Sequence, residues 1–146
     1  MVLTPTYHVF EMYTPFQDAT YLPIDIDSEI IQVSKAYFKE KENAKDAGYR
    51  PLPLLSASAA KTKDGSVVVA LTNVSLDQDK TVEVKLSGCN AKTVSGRILT
   101  SKKVDDYNDF KNPDKVAPSD FKDAKIKKDV LTVKVPAKSL VVLCVK

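Results

Sequence analysis

The chain reads as an all-β protein, a two-sheet β-sandwich that carries one helix at its front. Three observations predict this. About eight short segments alternate apolar and polar residues with a period of two, as half-buried strands do. Turn residues separate them, at Lys63-Asp64-Gly65, Ser87-Gly88 and Pro136-Ala137-Lys138. The opening stretch breaks the pattern, because its apolar residues follow helical spacing instead.

Leu3 to Tyr13 is the helix. Thr4 can cap its first free amides, and Pro5 suits the first helical position, where a missing N–H costs nothing. Tyr7, Phe10 and Tyr13 form one apolar stripe, and Val9, Met12 and Phe16 form a second beside it. Only the wedge of Thr4, His8 and Glu11 stays polar. A helix apolar over most of its circumference expects neighbours on several sides. A small β-domain offers one, so the helix reads as part of a larger body.

Tyr21 to Ile26 ends in strand-like alternation, and Glu29 to Ser34 is a weaker strand. Lys35 to Gly48 is charged and poor in apolar anchors, and reads as a long exposed loop with a helical turn. Pro51-Leu52-Pro53 re-enters the fold. Leu54 to Ala60 and Val67 to Asn73, joined at Gly65, form a hairpin. In Thr81 to Leu86, Val82, Val84 and Leu86 face the core while Glu83 and Lys85 face water. Thr93 to Thr100 is a strand whose Gly96 marks a bulge or a close approach. Lys102 to Lys128 is irregular, and Leu131 to Val135 alternates again. Ser139 to Val145 is apolar on both faces, so it is central or has one face covered by something else.

The chain has 146 residues and a net charge of +3. That length makes one domain and allows a real core. Basic residues at Lys35 to Lys45 and Lys122 to Lys128 are mixed with acidic ones, which argues for a solvated surface and against a nucleic-acid groove. No apolar run approaches the ~20 residues that span a membrane. The N-terminus lacks the basic region and cleavage site of a signal peptide. Cys89 and Cys144 are too few for a disulfide framework and lack metal-ligand spacing. Free thiols are the default, and the compartment stays open.

Chemistry has few candidates. His8 is the one histidine, and a surface pair with Glu11, three residues on, accounts for it better than acid–base work. Asp105, Asp106, Asn108, Asp109 and Asp114 resemble no calcium loop, and turn formation explains them. There is no Trp; Tyr37, Tyr49 and Tyr107 are the loop aromatics on which a sugar could stack.

Six segments in order carry a family resemblance: Leu3-Thr4-Pro5-Thr6-Tyr7-His8-Val9-Phe10, Leu55-Ser56-Ala57-Ser58-Ala59, Val69-Ala70-Leu71-Thr72-Asn73, Gly96-Arg97-Ile98-Leu99-Thr100, Tyr107-Asn108-Asp109-Phe110-Lys111-Asn112-Pro113 and Pro136-Ala137-Lys138-Ser139-Leu140-Val141-Val142-Leu143. Together they resemble the C-terminal end of an α-L-arabinofuranosidase of glycoside hydrolase family 51. The resemblance implies a catalytic (β/α)8 barrel followed by a β-sandwich of jelly-roll type. Residues 1–17 would then correspond to the last barrel helix and residues 18–146 to the accessory sandwich. It also implies retaining hydrolysis of terminal arabinofuranosyl residues of arabinan or arabinoxylan, which needs two carboxyl groups ~5–5.5 Å apart. In the family both are barrel glutamates, the acid/base directly after an Asn. Glu11, Glu29, Glu40, Glu42 and Glu83 match neither position. No catalytic, cofactor-binding or metal-binding residue carries over, and no cofactor is expected.

The expectation is a non-catalytic domain whose partner is the barrel of the same polypeptide. The opening helix and Ser139 to Val145 are the candidates for shared surface. A second copy of the chain and a plant polysaccharide are further partners that the reading admits; nucleic acid and membrane are not. The alternative is a free-standing carbohydrate-binding module.

Overall fold

The computed structural model describes residues 1–34 and 49–146. The expected loop and helical turn of Lys35 to Gly48 lie outside the described residues, as does Tyr37. Helix α1 spans Pro5–Met12 and passes into a 3-10 turn at Thr14–Phe16. The strands are β1 (Thr20–Leu22), β2 (Ile30–Ser34), β3 (Tyr49–Pro53), β4 (Leu55–Lys61), β5 (Val67–Asn73), β6 (Lys80–Lys85), β7 (Val94–Thr100), β8 (Ser119–Phe121), β9 (Ala124–Lys127), β10 (Val130–Val135) and β11 (Ser139–Val145). They form a six-stranded sheet in the order β1-β4-β5-β11-β7-β8, a three-stranded sheet β6-β10-β9 and a ribbon β2-β3.

The two larger sheets enclose one core. Leu131, Val133 and Val135 on β10 are completely buried, at the alternate positions that a period of two assigns to one face. Register brings the facing layer into line. Val141 of β11 sits between Leu71 of β5 and Ile98 of β7, and all three belong to this core. β6 keeps the alternation expected of it, with Val82 and Val84 half-buried and Leu86 buried, and Glu83 and Lys85 exposed. Gly96 is a close approach, as expected: a Cβ there would lie 2.5 Å from Leu143 Cδ2 and 3.4 Å from Phe121 Cβ.

β11 satisfies both alternatives that its apolar composition left open. It is central, and its second face is covered by the helix. Leu140 and Val142 pack with Met12, Ala70, Leu99 and Val116 in a second apolar cluster. The hairpin turn forms at Gly65, with φ 88°. Asp64 braces it by accepting from Thr62 Oγ1, from Ser66 N at 3.2 Å and from Ser66 Oγ at 3.0 Å.

Four strands differ from the sequence reading. β1 stops at Leu22 because Pro23 has no N–H for the ladder, so Ile24 and Ile26 leave the sheet. β3 is a strand despite Pro51 and Pro53, because a two-stranded ribbon leaves an open side where proline is tolerated. β8 and β9 lie in the stretch expected to be irregular. Both are short edge strands, and β9 carries Lys125 and Lys127, the charge that edges use to avoid pairing elsewhere.

Candidate functional site

Helix α1 starts as its sequence dictates. Thr4 Oγ1 accepts from Tyr7 N at 3.1 Å, and Pro5 occupies the first turn. Met12 is buried against the sheet at 2% exposure, and His8, one helical turn before it, is buried at 7%. Tyr7 and Phe10 face away, at 49% and 74% exposure. The surface position expected for His8 is therefore corrected. Because the helix is apolar nearly all round, periodicity alone could not say which side turns inward. Met12 turns inward by packing on Ala70, Leu99, Leu140 and Val142, and at the helix edge the Glu11 carboxylate accepts from the two terminal Arg97 guanidinium nitrogens, at 2.5 and 3.3 Å. His8 Nδ1 stands 4.0 Å from Glu11 Oε2, so the expected pairing is kept at long range, while its buried Nε2 has no hydrogen-bond partner among the described residues.

The acidic stretch after β7 is a set of braces, as expected of turn-forming residues. Asp106 accepts from Ser101 Oγ, from Lys103 N at 3.2 Å and from Lys115 Nζ at 2.8 Å. The Lys115 and Ser101 hydrogen bonds hold its carboxyl down from 3.8 to about 2. Asp109 accepts from Asn112 N at 2.6 Å and Lys111 N at 2.8 Å, which also lowers its pKa. Asn108 does most, through both ends of its amide. Its Nδ2 donates to Leu3 O at 2.8 Å and Val116 O at 2.9 Å, and its Oδ1 accepts from Val116 N at 2.7 Å. The loop is thereby tied to the residues that lead into α1. Sequence reasoning grouped Asn108 with the turn formers and missed this long-range role. Arg97 was missed likewise. Three apolar side chains stand out from the same loop: Val104 at 72%, Tyr107 at 65% and Phe110 at 90% exposure.

Two hollows open on either side of the large sheet. A cleft of about 290 Å³ between α1 and the sheet is lined by Met12, Val68, Val142 and Cys144, with Glu11, Arg97 and Asp120 also lining it. A groove of about 1060 Å³ runs along the open side of the sandwich, between β4–β5 and β6, and Leu22 to Asp27 line it as well. Cys89 packs on the core between the sheets, whereas Cys144 faces the helix side, so both are free thiols on opposite sides of one sheet. Among the described residues, no group of three His, Cys, Asp or Glu is placed to hold a metal ion. The one histidine lies on the buried side of α1, and among the described residues no nucleophile is bonded to it. The surface this geometry offers is apolar and aromatic, on the outer side of α1 and on the braced loop.

The chain is similar to one part of several larger proteins. The family model for the alpha-L-arabinofuranosidase C-terminal domain matches residues 1–139. An intracellular exo-alpha-L-arabinofuranosidase of Bacteroides ovatus is 45% identical over 143 residues, which is 98% of this chain and 25% of that protein. The crystal structure of the GH51 arabinofuranosidase from Xanthomonas axonopodis pv. citri superimposes with a TM-score of 0.87 at 38% identity, covering 100% of this chain and 27% of that one. The thermostable GH51 enzyme of Thermotoga petrophila RKU-1 shares the fold, with a TM-score of 0.77 at 19% identity over 99% of this chain and 29% of that one. The chain thus spans about a quarter of the length of these relatives. Helix, sandwich and braced loop together belong to the family of α-L-arabinofuranosidase C-terminal domains.

Proposed function

We propose that this chain is the non-catalytic C-terminal part of a larger retaining α-L-arabinofuranosidase, and that it works by packing on and stabilising a catalytic (β/α)8 barrel. Residues 1–17 then serve as the last barrel helix, and residues 18–146 as the accessory sandwich. The observation that carries the reading is α1. Its inner face is sealed into the sandwich by Met12 and His8, while Tyr7 and Phe10 lie exposed on the other side. Soluble proteins rarely leave an aromatic face uncovered. Relatives about four times as long supply a body that could cover it. Retaining chemistry would reside in that body, since hydrolysis needs two carboxyl groups facing one bond.

Three measurements test this. An immunoblot of the source organism should show a band several times larger than 16.1 kDa. The chain alone should not hydrolyse an aryl arabinofuranoside and should bind a hydrophobic dye. A native band at 16.1 kDa would overturn the proposal. It would move the alternative of a free-standing carbohydrate-binding module forward, with Tyr107 as the exposed ring to test for glycan stacking.

A further inference from the structure

We propose that the loop from Ser101 to Pro118 is a pre-formed clamp on the polypeptide preceding this chain, with Phe110 as its anchor. The inference rests on the accessory-domain reading above and names the contact that reading leaves open.

The first argument is rigidity. Phe110 sits in an exposed loop, yet the loop is held at both flanks and in the middle. Asp106 joins Ser101, Lys103 and Lys115 on one side. Asp109 ties Lys111 and Asn112 next to the ring itself. Asn108 and Val116 exchange two hydrogen bonds, and the Val116 side chain is buried in the cluster beneath α1. A loop braced this way has already lost most of the freedom that binding would otherwise remove, so its exposed rings are ready to contact a partner at low entropic cost.

The second argument is what the bracing presents. Asp106, Asn108 and Asp109 turn back to bond backbone of the loop, and Val104, Tyr107 and Phe110 are turned out. Phe110 at 90% exposure has nearly the accessibility of a free residue, and Tyr107 and Val104 join it at 65% and 72%. Solvation alone gives no reason for this inversion. Interface anchors have this character: a large aromatic on a rigid support.

The third argument selects the occupant. Asn108 reaches outside its own loop for one partner only, the carbonyl of Leu3. The loop is thereby fastened where the chain enters helix α1, and the residue that makes the link stands two positions before Phe110. With three-quarters of the length of the relatives lying outside the matched region, an N-terminal body is the partner within reach. Its chemistry follows from the clamp: an apolar socket wide enough for one phenyl ring. The loop also accounts for a motif that catalysis does not use, Tyr107 to Pro113, in which Asn108 and Asp109 set the support and Phe110 makes the contact.

The test uses the polypeptide as its source makes it, with Phe110→benzoylphenylalanine in one preparation and Phe10→benzoylphenylalanine in another. Both positions are exposed, so the folded state should tolerate the photoreactive ring. After irradiation, peptide mapping should place the position-110 adduct on residues upstream of Met1 of the same chain. In the same polypeptide, Phe110→Ala should speed proteolytic release of the C-terminal domain by about tenfold, the scale of one interface anchor. Three results overturn the clamp: an adduct joining two chains, an adduct confined to the loop, or no adduct at all. If position 10 still reacts upstream in those cases, the accessory-domain reading survives without the clamp. If neither position reacts upstream, both fail.

Discussion

Gly96→Ala is a small change with a calculable cost. The new methyl would lie 2.5 Å from Leu143 Cδ2, where carbon atoms at rest keep about 3.5–4.0 Å. Something must therefore move by roughly 1 Å. Phe121 flanks the same point, with Cβ and Cδ1 both at 3.4 Å. Leu143 cannot retreat easily, since it is completely buried in the core between the sheets. Overpacking of this kind costs about 1–3 kcal/mol. Removing a strand glycine returns roughly 0.5–1 kcal/mol of backbone entropy. The net expectation is a loss of about 1–2 kcal/mol, which in a domain of this size lowers Tm by about 3–6 °C. Thermal unfolding followed by circular dichroism reads it directly. The decisive comparison is the double variant. Leu143→Ala alone should cost roughly 3–5 kcal/mol by opening a cavity. Adding Gly96→Ala to it should then cost nothing or restore stability, because the clashing atom is gone and the new methyl fills part of the void. Equal costs of Gly96→Ala in the two backgrounds, or none in the wild type, would show that Leu143 does not dictate the glycine.

Four other outcomes follow from single contacts. Asn73, 1% exposed, bonds Gln78 O, Val135 O and Ser75 N, so Asn73→Ala should lower the unfolding free energy in urea by about 2–3 kcal/mol. Asn108→Ala should cost about 1–2 kcal/mol and speed hydrogen exchange at the Val116 amide, while exchange in β10 stays slow. The folded-state pKa of Asp106 is depressed to about 2, so its contribution is present above the ordinary 3.8 and is lost as pH falls through that value towards 2. Asp106→Asn should flatten that acid limb of a stability-versus-pH curve, and superimposable curves would refute the role. Cys89 and Cys144 lie on opposite sides of the large sheet, so aerobic storage should leave both available to iodoacetamide after denaturation, with no disulfide joining them in one chain.

What could be read in the sequence depended on which surface recorded it. Strands with one wet face carry alternation, and β6 and β10 appear in the sequence nearly as they fold. β11 is apolar at every position but its first, which marked it as central or covered on its second face before any pairing was known. β8 and β9 were hidden because three or four residues at a sheet edge bury too little to impose a pattern. The direction in which α1 faces was hidden for the opposite reason, since too many of its residues are apolar. Its inward face is set by Met12 packing on Ala70, Leu99, Leu140 and Val142, all more than 50 residues away. The link from Asn108 to Leu3 spans 105 residues and leaves no local trace either. The exposed surface of the loop was invisible because Phe110 has the composition of a core residue, and only its 90% exposure shows otherwise.

The boundary between helix and sandwich is harder to draw physically than in sequence. Dividing the chain after residue 17 would separate Met12 from Ala70, Leu99, Val116, Leu140 and Val142, all of which it helps to bury. The large sheet would then keep one covered face and expose the other, and β11, apolar on both, would suffer most. The sandwich therefore needs α1 as a third layer. The helix in turn needs a neighbour, because sealing Met12 and His8 inward leaves Tyr7 and Phe10 outward. Each layer that buries one apolar face presents the next. The small sheet covers the large one, the large one is closed by the helix, and the helix and its braced loop end the series at Phe10 and Phe110. On the proposal above, the barrel continues the series by covering these two phenylalanines, and apolar surface removed from water is what would hold it there.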